Sequence, residues 1–166
     1  MFIEMKISRL ILDPVTNTPI IILKDLEDEL TLPVWIGLLE ASAIALELEK
    51  EPPQRPMTHD LIKNILSSLN VNVSKVEVTD LRKSTFYALI YLNMDGKTFK
   101  IDARPSDAIA IALRTSAPIY VDEKVIRKLN KLNLESIKDT DKVDESADLQ
   151  DLLEEMSPED FGKYKM

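Results

Sequence analysis

Two short segments hold the residue types that could do chemistry on a phosphate: Arg55-Pro56-Met57-Thr58-His59-Asp60 and Asp102-Ala103-Arg104-Pro105-Ser106-Asp107. Each has an Arg-Pro pair, a hydroxyl residue, and then an aspartate where a helix begins. In the first, Thr58 is expected to cap a helix running to Leu69. The first turn of a helix leaves backbone N–H groups unpaired at the positive end of its dipole, so anions gather there. Arg55, held by Pro56, offers a bidentate fork for phosphate, and Lys63 adds a second cation one turn on. His59 is the only histidine in the chain, and imidazole is the group best suited to moving a proton near neutrality. Leu61, Ile62, Ile65, Leu66 and Leu69 fall on one arc of this helix, which turns His59 and Asp60 toward solvent; the plain alternative makes Asp60 an ordinary first-turn carboxylate and His59 an inert surface residue.

In the second segment Asp102 ends a strand, and Asp107 opens a helix that is otherwise nearly all apolar. A shielded carboxylate needs a partner, and Arg104, Arg114, Arg55 or a divalent cation could each supply one. If Asp60, Asp102 and Asp107 converge, their oxygens suit Mg²⁺ or Mn²⁺, with Asp102 and Asp107 as the protein ligands. Such an ion can generate hydroxide and neutralise a phosphodiester transition state. The competing reading is an Arg–Asp network that only joins two halves of the fold. Glu40, in the first turn of another helix, is either a third acid at the same locus or a plain first-turn carboxylate. Trp35 and Phe99 are expected in the core, since aromatics make up 5% of the chain and leave little material for a base-stacking groove.

The elements that must position these groups follow from periodicity and punctuation. Strands are expected at 2–12, 20–24 and 30–36, then a helix over 38–50 stopped by Pro52 and Pro53, and the helix from Thr58. Further strands are expected at 71–81, 85–94 and 97–102, with Met94-Asp95-Gly96-Lys97 as a hairpin turn. A helix at 105–115, a short strand at 117–121 and a helix at 122–132 complete the body.

The order strand, strand, strand, helix occurs twice, at 2–50 and 71–115. Shifted by 65 positions, Ala43-Ile44-Ala45 overlies Ala108-Ile109-Ala110, and Ser42 and Glu49 overlie Asp107 and Arg114. The expected fold is therefore α+β, with duplicated β-β-β-α units forming a mixed, barrel-like sheet. Both Ala/Ile-rich helices are apolar almost all round, so a wrapping sheet or a subunit interface must cover them.

Composition limits the function. With three glycines, the chain can write neither a P-loop nor a dinucleotide fingerprint. The absence of cysteine removes disulfides and thiolate metal sites, and favours a reducing compartment. No apolar run approaches the ~18 residues of a membrane span, so a cytoplasmic protein without membrane contact is expected. The net charge of −8 opposes a broad electrostatic grip on nucleic acid. Yet residues 1–121 carry 13 basic and 16 acidic side chains against 8 and 13 for 122–166. The body can thus still hold a local basic pocket. Residues 1–132 are read as the folded domain, and 133–166 as an acidic linker followed by a short amphipathic helix.

Four ordered blocks, LPVWIGLLEASAIALELE at 32–49, RPMTHDL at 55–61, STFYALIYL at 84–92 and IDARPSDAIAIALRTSAPIYV at 101–121, resemble the bifunctional nuclease domain family. The resemblance implies an α+β fold, a homodimer, and activity on both RNA and DNA, without a settled mechanism. Residues 1–132 would then be a bifunctional-nuclease-like domain. It would hydrolyse phosphodiester bonds with low sequence specificity through His59, Asp60, Asp102 and Asp107, while Arg55, Arg104 and Lys63 hold phosphate. The alternative is a non-catalytic binding or regulatory module whose Arg-Pro motifs are structural or bind a small anion.

Overall fold

In the computed structural model, which describes residues 1–13 and 16–138, the first three strands form an antiparallel meander. They are β1 (Phe2–Leu12), β2 (Pro19–Asp25) and β3 (Thr31–Trp35). A second meander contains β4 (Asn72–Arg82), β5 (Thr85–Met94) and β6 (Lys97–Ala103). Asp95 and Gly96 join its last two strands with φ of 50° and 75°, the paired positive values of a type I′ turn. A short strand, β7 (Ile119–Asp122), lies between the meanders, antiparallel to β1 and parallel to β4.

The sheet order is β3-β2-β1-β7-β4-β5-β6. The α+β class and mixed sheet match expectation, but the barrel-like closure does not. β7 fills the seam between the inner strands of the two meanders, which leaves β3 and β6 as separate edges of an open sheet.

The first helices are α1 (Leu38–Leu48) and α2 (Thr58–Ser68). They are followed by α3 (Pro105–Thr115) and α4 (Glu123–Lys138). Of the two helices expected to be wrapped on all sides, only α3 is. Ala108, Ile109, Ala110, Ile111 and Ala112 are each 4% exposed or less, because α3 lies against β4 and β5 while α1 and α2 both pack on it. Burying a side chain the size of isoleucine stabilises by about 1.5–3 kcal/mol, so α3 anchors the layer. By contrast, α1 buries Ala41, Ala43 and Ile44 and exposes Leu38, Leu39 and Leu48. Trp35 is buried as expected, whereas Phe99 on the edge strand is 42% exposed and is not core.

Val125, Ile126 and Leu129 bury α4 against β4 and β7, and Lys128 reaches Asp80 at 2.6 Å. That helix was expected to end at 132 but continues to Lys138. The rest of the expected linker and the C-terminal amphipathic helix lie outside the described residues. Among the described residues, no helix is long and apolar enough to cross a membrane.

Candidate functional site

α2 is turned away from the face its apolar residues suggest. Sequence alone places Leu61, Ile62, Ile65, Leu66 and Leu69 inward and His59 and Asp60 toward solvent. Instead Leu61, Ile65 and Leu69 are 54%, 48% and 62% exposed, and His59 is buried. Two polar bonds made in the first turn account for the rotation. His59 Nε2 lies 2.9 Å from Asp107 Oδ1 on α3, and Arg114 Nε donates to Asp60 Oδ1 at 2.6 Å. With these fixed, Ile62 and Leu66 follow His59 onto the inward side.

Met57, not Thr58, occupies the N-cap position. Asp60 closes the first turn by accepting from the Met57 backbone N–H at 2.9 Å. Its other oxygen holds Arg114, which is buried and also donates to the carbonyls of Ala110 and Ala43, both at 3.0 Å. Arg114 thus ties α2, α3 and α1 together through Asp60 and the two carbonyls. Burial pushes the Asp60 carboxyl up, but the Met57 N–H and the Arg114 guanidinium outweigh it and hold it below the usual value.

Asp107 sits differently. Arg104 Nε donates to its Oδ2 at 2.7 Å, and Arg104 Nη1 pairs with Glu40 Oε1 at 2.8 Å. The result is a continuous chain, Glu40–Arg104–Asp107–His59, across the ends of α1, α3 and α2. Burial pushes the Asp107 carboxyl up, and the hydrogen bonds from Arg104 and His59 overcome it, leaving the group ionised below its ordinary range. The same carboxylate raises Arg104 further.

Glu40, Arg104, Asp107 and His59 border a cleft of about 690 Å³. Its floor is apolar, from Ile62, Leu66, Ile90, Leu92, Ile101 and Ile111, with Leu39, Ser42, Met57 and Thr58 at the margin. These lining residues carry no motif; only the sheet register and the helix rotation bring them together.

Of the expected site residues, His59, Arg104 and Asp107 converge, and Asp102 borders the same cleft. Asp102 lies between Ile101 and Ala103 on β6, paired with Leu89 while its neighbours pair with Ile90 and Ala88. Strand alternation therefore directs its carboxylate to the sheet face opposite the cleft floor. Asp60 is committed to Arg114, and Arg55 and Lys63 are exposed and outside the cleft lining. The expected Mg²⁺ or Mn²⁺ site does not fit this arrangement. Both oxygens of Asp107 and both of Asp60 are engaged, and no group of three or more His, Cys, Asp or Glu residues that could hold a metal exists among the described residues.

Glu40 resolves as more than a first-turn carboxylate, since it holds Arg104. Its side chain folds back over Gly37, where a Cβ would collide with the carboxylate.

This geometry occurs on a chain with recognisable kin. The bifunctional nuclease domain model matches residues 21–133, which include the whole site. An uncharacterized protein of Mycobacterium tuberculosis is 36% identical over 162 residues, covering 95% of this chain and 97% of its own. Bifunctional nuclease 1 of Arabidopsis thaliana is 32% identical over 110 residues, covering 63% of this chain and 34% of that protein. Bifunctional nuclease 1 of Oryza sativa subsp. indica is 29% identical over 100 residues, 58% of this chain and 30% of its own. The chain spans about a third of the length of these plant proteins, and nearly all of the bacterial one. On the extent of the domain match, the chain belongs to the bifunctional nuclease domain family.

Proposed function

We propose that this chain hydrolyses phosphodiester bonds of RNA or DNA with low sequence specificity, as a homodimer, with His59 as the proton-transfer group. The observation that carries this reading is the 2.9 Å contact between His59 and Asp107 at the rim of the cleft. An ionised Asp107 accepts from Nε2–H, so Nδ1 keeps its lone pair as a base. Nδ1 takes a proton from water as its oxygen bonds to phosphorus. The bond from phosphorus to the leaving sugar oxygen breaks, and the proton passes from His59 to that oxygen. Proton transfer of this kind contributes about 10²–10⁴ in rate.

Arg104 is 53% exposed at its side chain, and among the described residues its Nη2 is the guanidinium nitrogen left to meet phosphate charge beside the two carboxylates. Arg55 and Lys63 are assigned to flanking phosphates, and Asp60 to structure. The apolar floor accepts a base without hydrogen-bonding its edges, which suits low specificity. The names of the plant relatives support the same chemistry. Duplication of the β-β-β-α unit belongs to this reading too, supported by two meanders that flank β7 and are each followed by a helix packed on the other.

The test is cleavage of end-labelled single-stranded RNA and DNA by the parent and His59→Ala, both prepared from a nuclease-deficient host. A loss of about 10²–10⁴ with an unchanged circular dichroism spectrum is expected; equal rates would end the proposal. One feature favours a second reading, a non-catalytic binding module whose Arg-Pro motif is structural: Arg104 is already neutralised by Glu40 and Asp107. Calorimetry against mononucleotides, with and without Mg²⁺, separates the two, because saturable binding without any cleavage supports the module.

A further inference from the structure

Among the described residues, β3 and β6 both end the sheet, but only β6 is bare. β3 has five residues, four of them buried, and carries Pro33; a short, covered, proline-bearing edge does not recruit other strands. β6 has seven residues, and every position from Lys97 to Asp102 is exposed. In the helix layer, the row Leu61, Ile65 and Leu69 of α2 also faces outward. Ile62 and Leu66 of that helix share the cleft with Ile101 of β6, so the row and the edge bound the same end of the molecule.

We propose that a second copy of this chain docks there by antiparallel pairing of β6 with β6, about a twofold axis at Ile101. Backbone and charge together select the register. The β5–β6 hairpin closes with Met94 opposite Lys97, so Lys97, Phe99 and Ile101 turn their N–H and C=O groups toward β5. Thr98, Lys100 and Asp102 turn theirs outward, and these must face one another across the new pair. An axis at Lys100 sets that lysine against itself, and one at Asp102 sets two carboxylates together; both arrangements are repulsive. An axis at Phe99 brings Lys100 opposite Thr98 and leaves Asp102 opposite the Gly96 turn, without a cation. Centring on Ile101 places Lys100 opposite Asp102 twice, Ile101 against Ile101, and Phe99 opposite Ala103. The contact is self-complementary, as a twofold interface requires. The partner strand then runs along the cleft margin from Ile101 to Arg104.

This rests on the homodimer part of the proposed function and is independent of its chemistry, so cleavage and association can fail separately. Sedimentation velocity on the full chain from about 1 to 100 μM should show a concentration-dependent dimer. Lys100→Asp and Asp102→Lys alone should each raise the dissociation constant about tenfold or more, as two cross-strand ion pairs become like-charge pairs. The double variant should restore parental association. A monomer throughout the range overturns the interface; single variants that associate as tightly as the parent overturn the register.

Discussion

Asp60 and Asp107 open their helices in the same way, yet replacing each by asparagine should produce opposite defects. Asp60→Asn keeps the shape and an oxygen for the Met57 N–H but removes the charge facing Arg114. The Arg114 side chain is 3% exposed, and its remaining partners are the neutral carbonyls of Ala43 and Ala110. Breaking a buried pair from one side costs about 3–5 kcal/mol. Asp60 is 20% exposed and the carbonyl bonds survive, so a loss of about 2–3 kcal/mol is expected. For a chain this size that lowers Tm by roughly 6–9 °C. Cleavage by the folded fraction should stay within about threefold of the parent, or ~0.7 kcal/mol.

Asp107→Asn, in contrast, strips charge from an Arg104 that is already 53% exposed, and an exposed pair contributes only about 0.2–1 kcal/mol. The single oxygen that asparagine keeps is claimed by Arg104 Nε, so its amide NH₂ faces His59 Nε2, the tautomer is no longer fixed with Nε2 protonated, and the rate should fall by about 10²–10⁴. Urea unfolding followed by fluorescence of Trp35, the sole tryptophan and 6% exposed, measures one effect; cleavage by the same preparations measures the other. If Asp107→Asn proves the less stable variant, or Asp60→Asn abolishes cleavage while staying fully stable, the division of roles is wrong.

Gly37→Ala should push Glu40 off Arg104, raising KM about three- to tenfold at nearly unchanged kcat, since the group positions binding and not proton transfer; an unchanged KM would show Glu40 to be idle. Asp80 bears on acid stability. Burial pushes its carboxyl up, but Lys128 and Arg82 overcome this and hold it far below the usual range. A depressed folded value stabilises above the unfolded pKa of about 4 and is lost as pH falls through the folded one. The urea midpoint should therefore drop below pH ~4, and Asp80→Asn should flatten that slope; equal slopes in parent and variant would contradict it. Because Asp107 is engaged by His59 and Arg104, excess chelator should leave cleavage within about threefold, or ~0.7 kcal/mol. Abolition by chelator with recovery on adding Mg²⁺ would mean that the carboxylates rearrange to take an ion.

Much of this fold is written locally. The Asp95-Gly96 turn, the β-branched strands and the Pro-led start of α3 each declare themselves through short-range chemistry. The meeting of the two Arg-Pro segments does not: a shielded Asp107 needed a partner, but the expectation left Arg104, Arg114, Arg55 or a cation open, and the residue that reaches across is His59. The rotation of α2 was not legible. Leu61, Ile65 and Leu69 form one apolar row and Ile62 and Leu66 another, and only the bonds from His59 and Asp60 to α3 decide which faces inward. Asp102 misled for a related reason: strand parity sends it away from Ile101, and parity depends on where the β5–β6 register begins. Sheet closure was equally out of reach, since the insertion of β7 between β1 and β4 depends on contacts between distant strands.

One spectroscopic measurement bears most directly on the proposed dyad. With a single histidine, the chain gives one pair of ring ¹⁵N signals, assignable without ambiguity. Titration of a full-length sample with a cleavage-resistant phosphorothioate oligonucleotide should show Nε2 protonated throughout and Nδ1 shifting as the cleft fills. Saturable oligonucleotide binding that leaves both His59 nitrogens unmoved, in a preparation that still cleaves RNA or DNA, would contradict the assignment of the reaction to this cleft.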